Sequence, residues 1–425
     1  MTRARAAGRA ATRRVRALYE QHPYPSLPEL RRPLDERFHR DRLNYVLHRR
    51  PGAGFFGDAM RIWVPGCGTD QAIEVAMRFP RARVLATDVS RKALAVTRSL
   101  TRSLGLANVE IAERDMLDAR YRDVFDLVLC VGVLHHLPDP ARGFRVIRRS
   151  LRRSGAGLVM VYNEAHRREV RAFQAALQRL CPSDALGPRL TTAKRLLRAA
   201  SSSRCDPVGP FFRSLEADLA SGRLPPSALF DTLIHPLEVA YDVDGLMREL
   251  AGAGLRLAAW RWPRHWDLSL YVSDEALLDR FYRLEAGAQF SVVCALAGAQ
   301  APFFDCWVER DDAPAWRPLG DRELSALRPR PRAGETVYGV RAGRVVRSET
   351  RRWTVDELGA SVACEGRIRT EWPLPRGSEA VVARCDGRTT VRELCGAERD
   401  IPVLELVELL LSPEVELLAP TYDAG

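Results

Sequence analysis

The chain has 425 residues, of which 46% are hydrophobic and 28% are charged, a balance typical of globular domains. No apolar run reaches the roughly 18 residues that a membrane-spanning helix needs, and no segment resembles a secretory signal. The net charge of +11 can indicate an acidic partner, but the basic residues are almost all arginine and are spread along the chain. A GC-rich bacterial genome explains this arginine bias equally well, so we expect neither nucleic acid nor a membrane as the partner.

The nine cysteines are odd in number and scattered, without a Cys-x-x-Cys pair. Histidines and cysteines do not cluster with the spacing of a metal site. This pattern predicts reduced thiols, a cytoplasmic location and no bound metal.

The first sixteen residues hold six arginines, and no acidic residue precedes Glu20. Such a segment is a solvated arm or a first helix, or it contacts an acidic partner. We treat residues 1–44 as a basic arm and a lead-in that covers the following domain.

Between residues 61 and 162, short apolar runs alternate with longer amphipathic segments. The runs predict strands over 61–64, 83–88, 109–113, 125–130 and 157–162. Short β-branched runs that alternate with helices are typical of parallel βαβ units. With two later strands, at 255–260 and 290–296, they predict an α/β fold: a doubly wound, mostly parallel, Rossmann-like sheet of seven strands.

The remaining segments carry different patterns. Residues 163–237 predict a helical cap within a domain spanning 45–297. The stretch 298–333 is rich in Ala, Asp and Pro and is predicted to be a linker. Residues 334–425 predict a small α+β domain of winged-helix type, with a hairpin turning at 341–343 and three short helices.

The turn after the first strand reads VPGCGTDQ, in which Gly66 and Gly68 are separated by one residue. Glycines let the backbone turn tightly and approach a ligand closely. A dinucleotide fingerprint requires a third glycine where Gln71 stands, and the acidic Asp70 disfavours a pyrophosphate at the helix start. The turn therefore predicts a cofactor without phosphate groups, and a cationic one is well suited.

An acidic residue follows each of the next two strands. Asp88 lies about twenty residues beyond the glycines, where an acid in this kind of sheet reaches ribose hydroxyls; a cap of the next helix is the alternative. Asp115 follows the third strand, with Met116 beside it. It can accept a hydrogen bond from an adenine amine, or it can belong to a surface turn.

Four motifs follow one another in the order VPGCGTD, TDVS, RDM and FDLVLCVGVLHHLPDP. This series resembles class I S-adenosylmethionine-dependent methyltransferases, especially the ubiquinone and small-molecule type. The resemblance covers residues 61–162 well and residues 19–297 more loosely. It implies an enzyme that transfers a methyl group and has S-adenosylmethionine as its cofactor.

The resemblance also implies which residues line the cofactor site: Gly66, Cys67 and Gly68 for the methionine moiety, Asp88 and Val89 for the ribose, Asp115 and Met116 for the adenine, and Cys130 and Val131 for the remaining wall. Residues 19–25 resemble the "NPYP" lead-in of some bacterial methyltransferases. There the Tyr24 ring can stabilise the sulfonium through a cation–π attraction, or it can simply pack in a turn.

Methyl transfer is a displacement at a carbon that the cationic sulfur already activates, so the protein mainly aligns the acceptor and excludes water. A base is needed only where the acceptor must lose a proton. His135 and His136 are candidates for that base, with packing as the alternative. Tyr162, Asn163 and His235 are candidate acceptor contacts, the first two because they end a strand at the edge where ligands bind in such sheets.

The acceptor atom is left open, and a peptide or a natural-product small molecule suits the motif type. Residues 383–394, ARCDGRTTVREL, resemble the PqqD-like winged-helix module that binds leader peptides. A small stabilising domain without a ligand is the alternative for this region.

Two other functions remain open. A non-catalytic recruitment protein could keep this fold, although it would not need the cofactor residues Gly66, Gly68, Asp88 and Asp115. A nucleic-acid methyltransferase would suit the charge. However, CVG stands at 130–132, where amino-directed enzymes of that kind often carry a Pro-Pro-Tyr-type tetrapeptide.

Overall fold

The computed structural model describes residues 2–24, 29–30, 36–47, 56, 59–183, 185–202, 209–220, 229–298, 301, 303–314, 325–331, 337–341, 344–357, 360–373, 378–397, 403, 407 and 418–420. The helices of these residues are α1 (Thr2–Gln21), α2 (Glu36–Val46), α3 (Gln71–Arg78), α4 (Arg91–Ser103), α5 (Pro140–Ser150), α6 (Glu164–Leu180), α7 (Leu186–Ser201), α8 (Gly209–Ala220), α9 (Val243–Gly252), α10 (Glu275–Tyr282), α11 (Ala286–Ala297), α12 (Ser378–Ala383) and α13 (Val391–Ala397). Their strands are β1 (Glu29–Leu30), β2 (Arg61–Pro65), β3 (Arg83–Asp88), β4 (Val109–Glu113), β5 (Phe125–Val131), β6 (Leu151–Asn163), β7 (Ala240–Tyr241), β8 (Leu255–Trp260), β9 (Phe303–Arg310), β10 (Pro329–Pro331), β11 (Val337–Arg341), β12 (Arg344–Glu357), β13 (Ala360–Pro373) and β14 (Leu418–Pro420).

Seven strands form the central sheet in the order β4-β3-β2-β5-β6-β9-β8, and the short β7 also pairs with β6. Strands β2 to β6 pair in parallel, whereas β9 is antiparallel to both β6 and β8. This arrangement confirms the predicted doubly wound, mostly parallel Rossmann-like sheet. The carboxyl ends of β2 to β6 consequently lie along one edge.

The central strands are apolar because helices cover both faces of the sheet. In β2, Ile62, Trp63 and Val64 are completely buried. Side chains of α3 and α4 pack on one face, and side chains of α5, α9 and α11 pack on the other. Strands buried on both faces read as continuous apolar runs, which is why the sequence reveals them.

Polar residues at the sheet edge determine where three of the helices begin. Ser90 Oγ accepts a hydrogen bond from the Ala93 N–H at 3.1 Å, which caps α4. Asp139 and Asn163 cap α5 and α6 in the same way, through the N–H groups of Arg142 and Ala165. Each cap satisfies a donor of the first helical turn that would otherwise lack a partner.

A helical cap occupies the region predicted at 163–237. It consists of α6, α7, α8 and a π-helical turn at Phe230–Ile234. Leu18 of α1 packs into the small apolar core of these helices, beside Val170 and Phe230. The N-terminal helix is therefore joined to the cap.

The prediction of a strand at 290–296 is wrong, because these residues belong to α11. An apolar run of this length suits a buried helix as well as a strand, so its periodicity does not decide between them. The strand that completes the sheet is β9, which lies within the segment 298–333 that was predicted to be a linker. The sheet therefore extends beyond residue 297.

A separate antiparallel sheet contains β1, β11, β12 and β13, and β10 pairs with β14 in a further two-stranded sheet. Strands β11 and β12 pair with Arg341 opposite Arg344, which confirms the predicted hairpin. Strand β12 then pairs along its whole length with β13, a pairing that the sequence patterns did not predict. Helices α12 and α13 match two of the three predicted helices, and the third, at 403–411, lies mostly outside the described residues.

Candidate active site

A cavity of about 640 Å³ lies at the carboxyl ends of β2, β3, β5 and β6. Pockets for cofactors and small ligands measure roughly 300–1,000 Å³, so this one can hold more than a single small group. Its walls also include α1 and the π-helical turn of the cap. We name its two parts the glycine end, defined by Gly66, Gly68, Asp88 and Asp115, and the histidine end, defined by His135, His136, Tyr162 and Asp231.

The glycine turn leaves space that a side chain would fill. Gly66 and Gly68 have φ angles of +62° and +55°, in the left-handed region that disfavours other residues. A Cβ atom on Gly66 would lie 2.4 Å from Cγ2 of Val133. The bare backbone therefore forms a cradle at this point of the cavity wall.

Asp88 ends β3 and reaches into the glycine end. Its carboxylate accepts hydrogen bonds from the Gly68 N–H at 3.0 Å and from the Ser90 N–H at 2.8 Å. Burial raises the pKa of Asp88, and the hydrogen bonds from these backbone groups oppose that rise only in part. The residue holds the glycine turn against β3 and presents an acceptor to the cavity, while Ser90 is the helix cap.

Asp115 and Met116 form another part of the same end. The Asp115 carboxylate accepts hydrogen bonds from the Leu117 N–H at 2.9 Å and from the Thr12 hydroxyl at 3.3 Å. Burial raises the pKa of Asp115 as well. The Met116 side chain is buried next to it, so an apolar surface adjoins the carboxylate.

The N-terminal basic segment is a helix that forms one wall of the glycine end. Thr12, Val15 and Tyr19 of α1 line the cavity. Arg16 forms an ion pair with Glu113 at the end of β4 at 2.5 Å. These contacts correspond to the first-helix interpretation of the basic segment.

Most residues predicted for the cofactor site line this cavity: Gly66, Cys67, Gly68, Asp88, Val89, Asp115, Met116, Val131 and Tyr24. Cys130 is not among the lining residues and is completely buried in the core. Successive side chains of a strand point to opposite faces, so Cys130 and its neighbour Val131 cannot face the same way. Burial also raises the pKa of the Cys130 thiol well above its ordinary value.

Asp231 lies at the centre of the histidine end. The Tyr19 hydroxyl donates a hydrogen bond to its Oδ1 at 2.9 Å, and the Tyr162 hydroxyl donates to its Oδ2 at 3.1 Å. The Nε2 atom of His136 lies 3.6 Å from Oδ1. Burial favours the neutral acid, but the neighbouring histidines, His136 above all, outweigh it and hold the pKa of Asp231 below its ordinary value.

Three imidazole rings pack together beside this carboxylate. His136 stacks on His235 with ring centroids 3.6 Å apart and meets His135 edge-on at 4.2 Å. Burial lowers the pKa of His135 and His235, and the nearby His136 adds to the effect. These two rings are therefore neutral near pH 7.

A buried ion pair supports Tyr162. The Arg167 guanidinium lies 4.2 Å from the centre of the Tyr162 ring, and its Nε donates to Glu238 at 2.7 Å. A second guanidinium nitrogen donates to the Thr232 carbonyl at 2.8 Å. Arg167 and Glu238 therefore neutralise each other as a buried pair beside the Tyr162 ring.

The predicted acceptor contacts have different positions. Tyr162 lines the cavity, but Asn163 and His235 are not among the lining residues. The Asn163 amide donates to the carbonyls of Gly298 and Ala301, at 3.0 and 2.9 Å, and so connects β6 to the segment before β9. His235 packs against His136 instead of facing the cavity.

Three cavity residues at or beside the histidine end were not predicted: Tyr19, Arg167 and Asp231. Asp231 is carried by a π-helical turn, a rare feature that is frequent at functional sites. Among the described residues no group of His, Cys, Asp and Glu is arranged to hold a metal ion. No helix in the described part of the chain is long and apolar enough to cross a membrane.

Comparisons with known proteins agree with this geometry. Residues 64–159 match the family model of a methyltransferase domain. An uncharacterized protein of Synechococcus sp. is 27% identical over 340 residues, which cover 78% of this chain and 79% of that protein. The structure of PKMT2 from Rickettsia typhi in complex with AdoHcy aligns with a TM-score of 0.59 at 12% identity, covering 92% of this chain and 76% of that one. A second PKMT2 structure aligns with a TM-score of 0.57 at 11% identity, covering 89% and 74%.

The chain therefore contains a methyltransferase domain over residues 64–159, and its fold is similar to that of PKMT2. Methyltransferase sequence motifs lie on the strands whose ends build the cavity. The glycine cradle and two acidic acceptors at the glycine end suit a cationic nucleoside cofactor that lacks phosphate groups.

Proposed function

We propose that the enzyme transfers a methyl group from S-adenosylmethionine at the glycine end to an acceptor at the histidine end. The observation that carries this proposal is the continuity of the cavity, which runs from Gly66 and Asp88 to Tyr162 and Asp231. Donor and acceptor must meet in one water-poor space for in-line transfer, and a continuous cavity provides that space.

The residues of the glycine end would hold the cofactor as follows. Gly66, Cys67 and Gly68 would contact its methionine part, and Asp88 with Val89 would receive its ribose hydroxyls. Asp115 would accept from the adenine amine while Met116 packs on the ring. When bound, the cofactor supplies a methyl group already activated by a positively charged sulfur, so the side chains need only bind, orient and exclude water. Val131 and the Tyr24 ring would complete the wall around it.

We propose a peptide or a natural-product small molecule as the acceptor, in a cytoplasmic bacterial enzyme. The size of the cavity leaves room for an acceptor group beside the cofactor. The seven described cysteines are all free thiols, which suits a reducing compartment. Residues 334–425 would contribute to acceptor recognition, and a leader peptide is the ligand that the PqqD-like motif suggests for them.

Two measurements test the proposed function. Calorimetry should detect binding of S-adenosylhomocysteine by the wild type, and Asp88→Ala should weaken it strongly. Radiolabelled S-adenosylmethionine should pass its methyl label to a component of a heat-treated extract of the source organism. Absence of binding by the wild type would refute the methyltransferase proposal. Binding without any transfer would favour a non-catalytic protein.

A further inference from the structure

Five arginines lie together outside the cavity, on helix α5 and on the segment that precedes β5. Three of them follow one another along α5 at intervals of three and four residues, so they share one face of the helix. The other two belong to the preceding segment, and their side chains are exposed. We name this set the basic stripe: Arg120, Arg122, Arg142, Arg145 and Arg149.

Backbone carbonyls hold two of these guanidinium groups in place. The Nε atom of Arg149 donates to the Tyr121 carbonyl at 3.2 Å, and a second nitrogen donates to the Ala119 carbonyl at 2.6 Å. Arg142 donates in the same way to the Leu117 carbonyl at 2.7 Å. These bonds attach α5 to the preceding segment, so that both elements contribute to a single row of positive charge.

Carboxylates neutralise this row only weakly. Asp118 lies 3.8 Å from Arg142, and Asp139 lies 4.0 Å from Arg145. Among the described residues, no carboxylate within 4 Å is found for the other three arginines of the stripe. Contacts of this length between exposed side chains contribute little. Burial, followed by the charges of three other arginines of the stripe, lowers the pKa of Arg149, which agrees with repulsion along the row.

Neighbouring arginines outside the stripe have closer acidic partners. The Arg148 guanidinium lies 3.4 Å from the Asp311 carboxylate, and that of Arg152 lies 2.6 Å from Asp126. The weak neutralisation is therefore a property of the stripe and not of this whole side of the molecule. Like charges that are held in a row without close counter-charges attract an anionic ligand.

The stripe starts beside the cavity. Met116 and Pro138 line the cavity wall, and they immediately precede Leu117 and the start of α5. A helix rises about 1.5 Å per residue, so the stripe extends roughly 10 Å along α5 from Arg142 to Arg149. An extended peptide spans that distance with about three residues. A short anionic segment of a peptide can therefore lie on the stripe while another part of the peptide reaches the cavity.

We propose that the basic stripe binds an acidic segment of the peptide acceptor. The inference rests on the proposed methyl transfer to a peptide. Carboxylates suit the stripe because a guanidinium group can bind a carboxylate through two parallel hydrogen bonds. Nucleic acid suits it less, since sites for single strands usually add aromatic side chains on which bases stack. Tyr121, the ring in the same segment, instead packs edge-on against Trp63 and Phe125.

The test measures the affinity of the full chain for a fluorescein-labelled octaglutamate peptide by fluorescence anisotropy. The stripe variant reverses three of its exposed charges: Arg120→Glu, Arg122→Glu and Arg145→Glu. The affinity should fall by about tenfold or more, because like charges placed opposite the probe repel it. Added salt should weaken the binding by the wild type, as it does for exposed charges.

The matched control reverses three exposed arginines of α4 and α7: Arg98→Glu, Arg102→Glu and Arg195→Glu. Both triple variants change the net charge equally. Helix α4 packs on the face of the sheet opposite to α5. Because charges farther away than the Debye length are screened, the control should change the affinity by less than about twofold at physiological ionic strength.

Three results would overturn the proposal. They are absence of octaglutamate binding by the wild type, equal losses in the two triple variants, and tighter binding of an oligouridylate through the same arginines. Circular dichroism checks the fold of the stripe variant, and Arg120→Gln, Arg122→Gln and Arg145→Gln together give a milder variant that should also bind octaglutamate more weakly than the control does.

Calorimetry with S-adenosylhomocysteine separates this proposal from the proposed function. The stripe variant should bind S-adenosylhomocysteine as the wild type does, because none of its three substituted residues lines the cavity. Failure of the wild type to bind S-adenosylhomocysteine would refute the proposed methyl transfer, whereas the octaglutamate measurement decides the role of the stripe.

Discussion

The Tyr19 hydroxyl donates to the Asp231 carboxylate at 2.9 Å, although 212 residues separate the two along the chain. This hydrogen bond joins the N-terminal helix to the cap at the histidine end of the cavity. Burial followed by the charge of Asp231 raises the pKa of Tyr19 well above its ordinary value, so its hydroxyl remains a donor.

Tyr19→Phe should lower the free energy of unfolding by about 1.5–3 kcal/mol, the usual loss for a hydrogen bond to a charged group. Urea denaturation measures this change. The matched control is Tyr282→Phe, which removes a hydrogen bond of similar length to Asp267 from an exposed side chain. Its loss should be clearly smaller, and equal losses would show that the Tyr19 contact has no special role in attaching α1.

Gly66→Ala should weaken the binding of S-adenosylhomocysteine, because the new Cβ would collide with Val133 and displace the turn. Gly105→Ala is the control, since Gly105 has nearly the same φ, +63°, but nothing within 4 Å of its Cβ position. Both variants should lose about 1–2 kcal/mol from the left-handed backbone. Calorimetry should show weaker binding for Gly66→Ala alone, and unaltered binding would exclude the cradle as a cofactor contact.

Acidification should weaken cofactor binding at a pH above the ordinary Asp value of 3.8, because burial raises the pKa of Asp88 and that of Asp115. The ionised carboxylates are the acceptors, so affinity is full above the raised pKa values and falls as pH drops through them. These two carboxyl groups affect folding stability in the opposite direction. An acid whose pKa is raised in the folded state stabilises the fold at low pH, and this stabilisation is lost as the pH rises. Calorimetry in a pH series checks this. Asp88→Asn should bind weakly with a flatter profile, and an unchanged profile would contradict the assignment.

Arg167→Met should destabilise the fold by about 3–5 kcal/mol, because it leaves the Glu238 charge buried without its partner. Arg171 on the same helix is the control, because both side chains of its ion pair with Glu164 are exposed. Arg171→Met should change stability by only about 0–1 kcal/mol. Denaturant titration of both variants checks the difference, and similar effects would mean that water reaches the Arg167 pair.

Removal of residues 333–425 should leave binding of S-adenosylhomocysteine intact, because the described lining residues all precede residue 304. It should reduce transfer to a peptide acceptor if the C-terminal region takes part in recognition. The truncation also removes β14, the partner of β10, and β12, the partner of β1, so folding is checked first by circular dichroism. Loss of cofactor binding in a folded truncation would show that the C-terminal region supports the site.

The sequence predicts the parallel part of the fold well because its central strands are buried on both faces and the strands are bounded by turns. Strand β9 escaped prediction because its apolar residues alternate with Asp305 and other partly exposed side chains in an Ala- and Pro-rich context. The apolar run at 290–296 was wrongly predicted to be a strand, because a run of this length suits a helix as well as a strand. The local sequence pattern therefore identifies the parallel strands correctly. For β9 and for residues 290–296, tertiary packing determines the secondary structure.

The two ends of the cavity also differ in how well the sequence predicts them. The glycine end lies on turns that directly follow strands, so its residues are close in sequence to recognisable motifs. Asp231 reaches the site because α1 and the π-helical turn of the cap are in contact over the sheet. No local sequence pattern encodes that contact. His136 belongs to a visible motif, yet its partner at Leu237 lies 101 residues away.

The placement of α1 has a consequence for how the protein is made. Helix α1 is synthesised before the cap, and the carboxylate that Tyr19 binds follows 212 residues later. At roughly 5–20 residues per second, α1 must wait on the order of 10–40 s before that partner exists. During this interval the apolar side of α1, including Leu18, lacks the cap core that covers it in the folded protein.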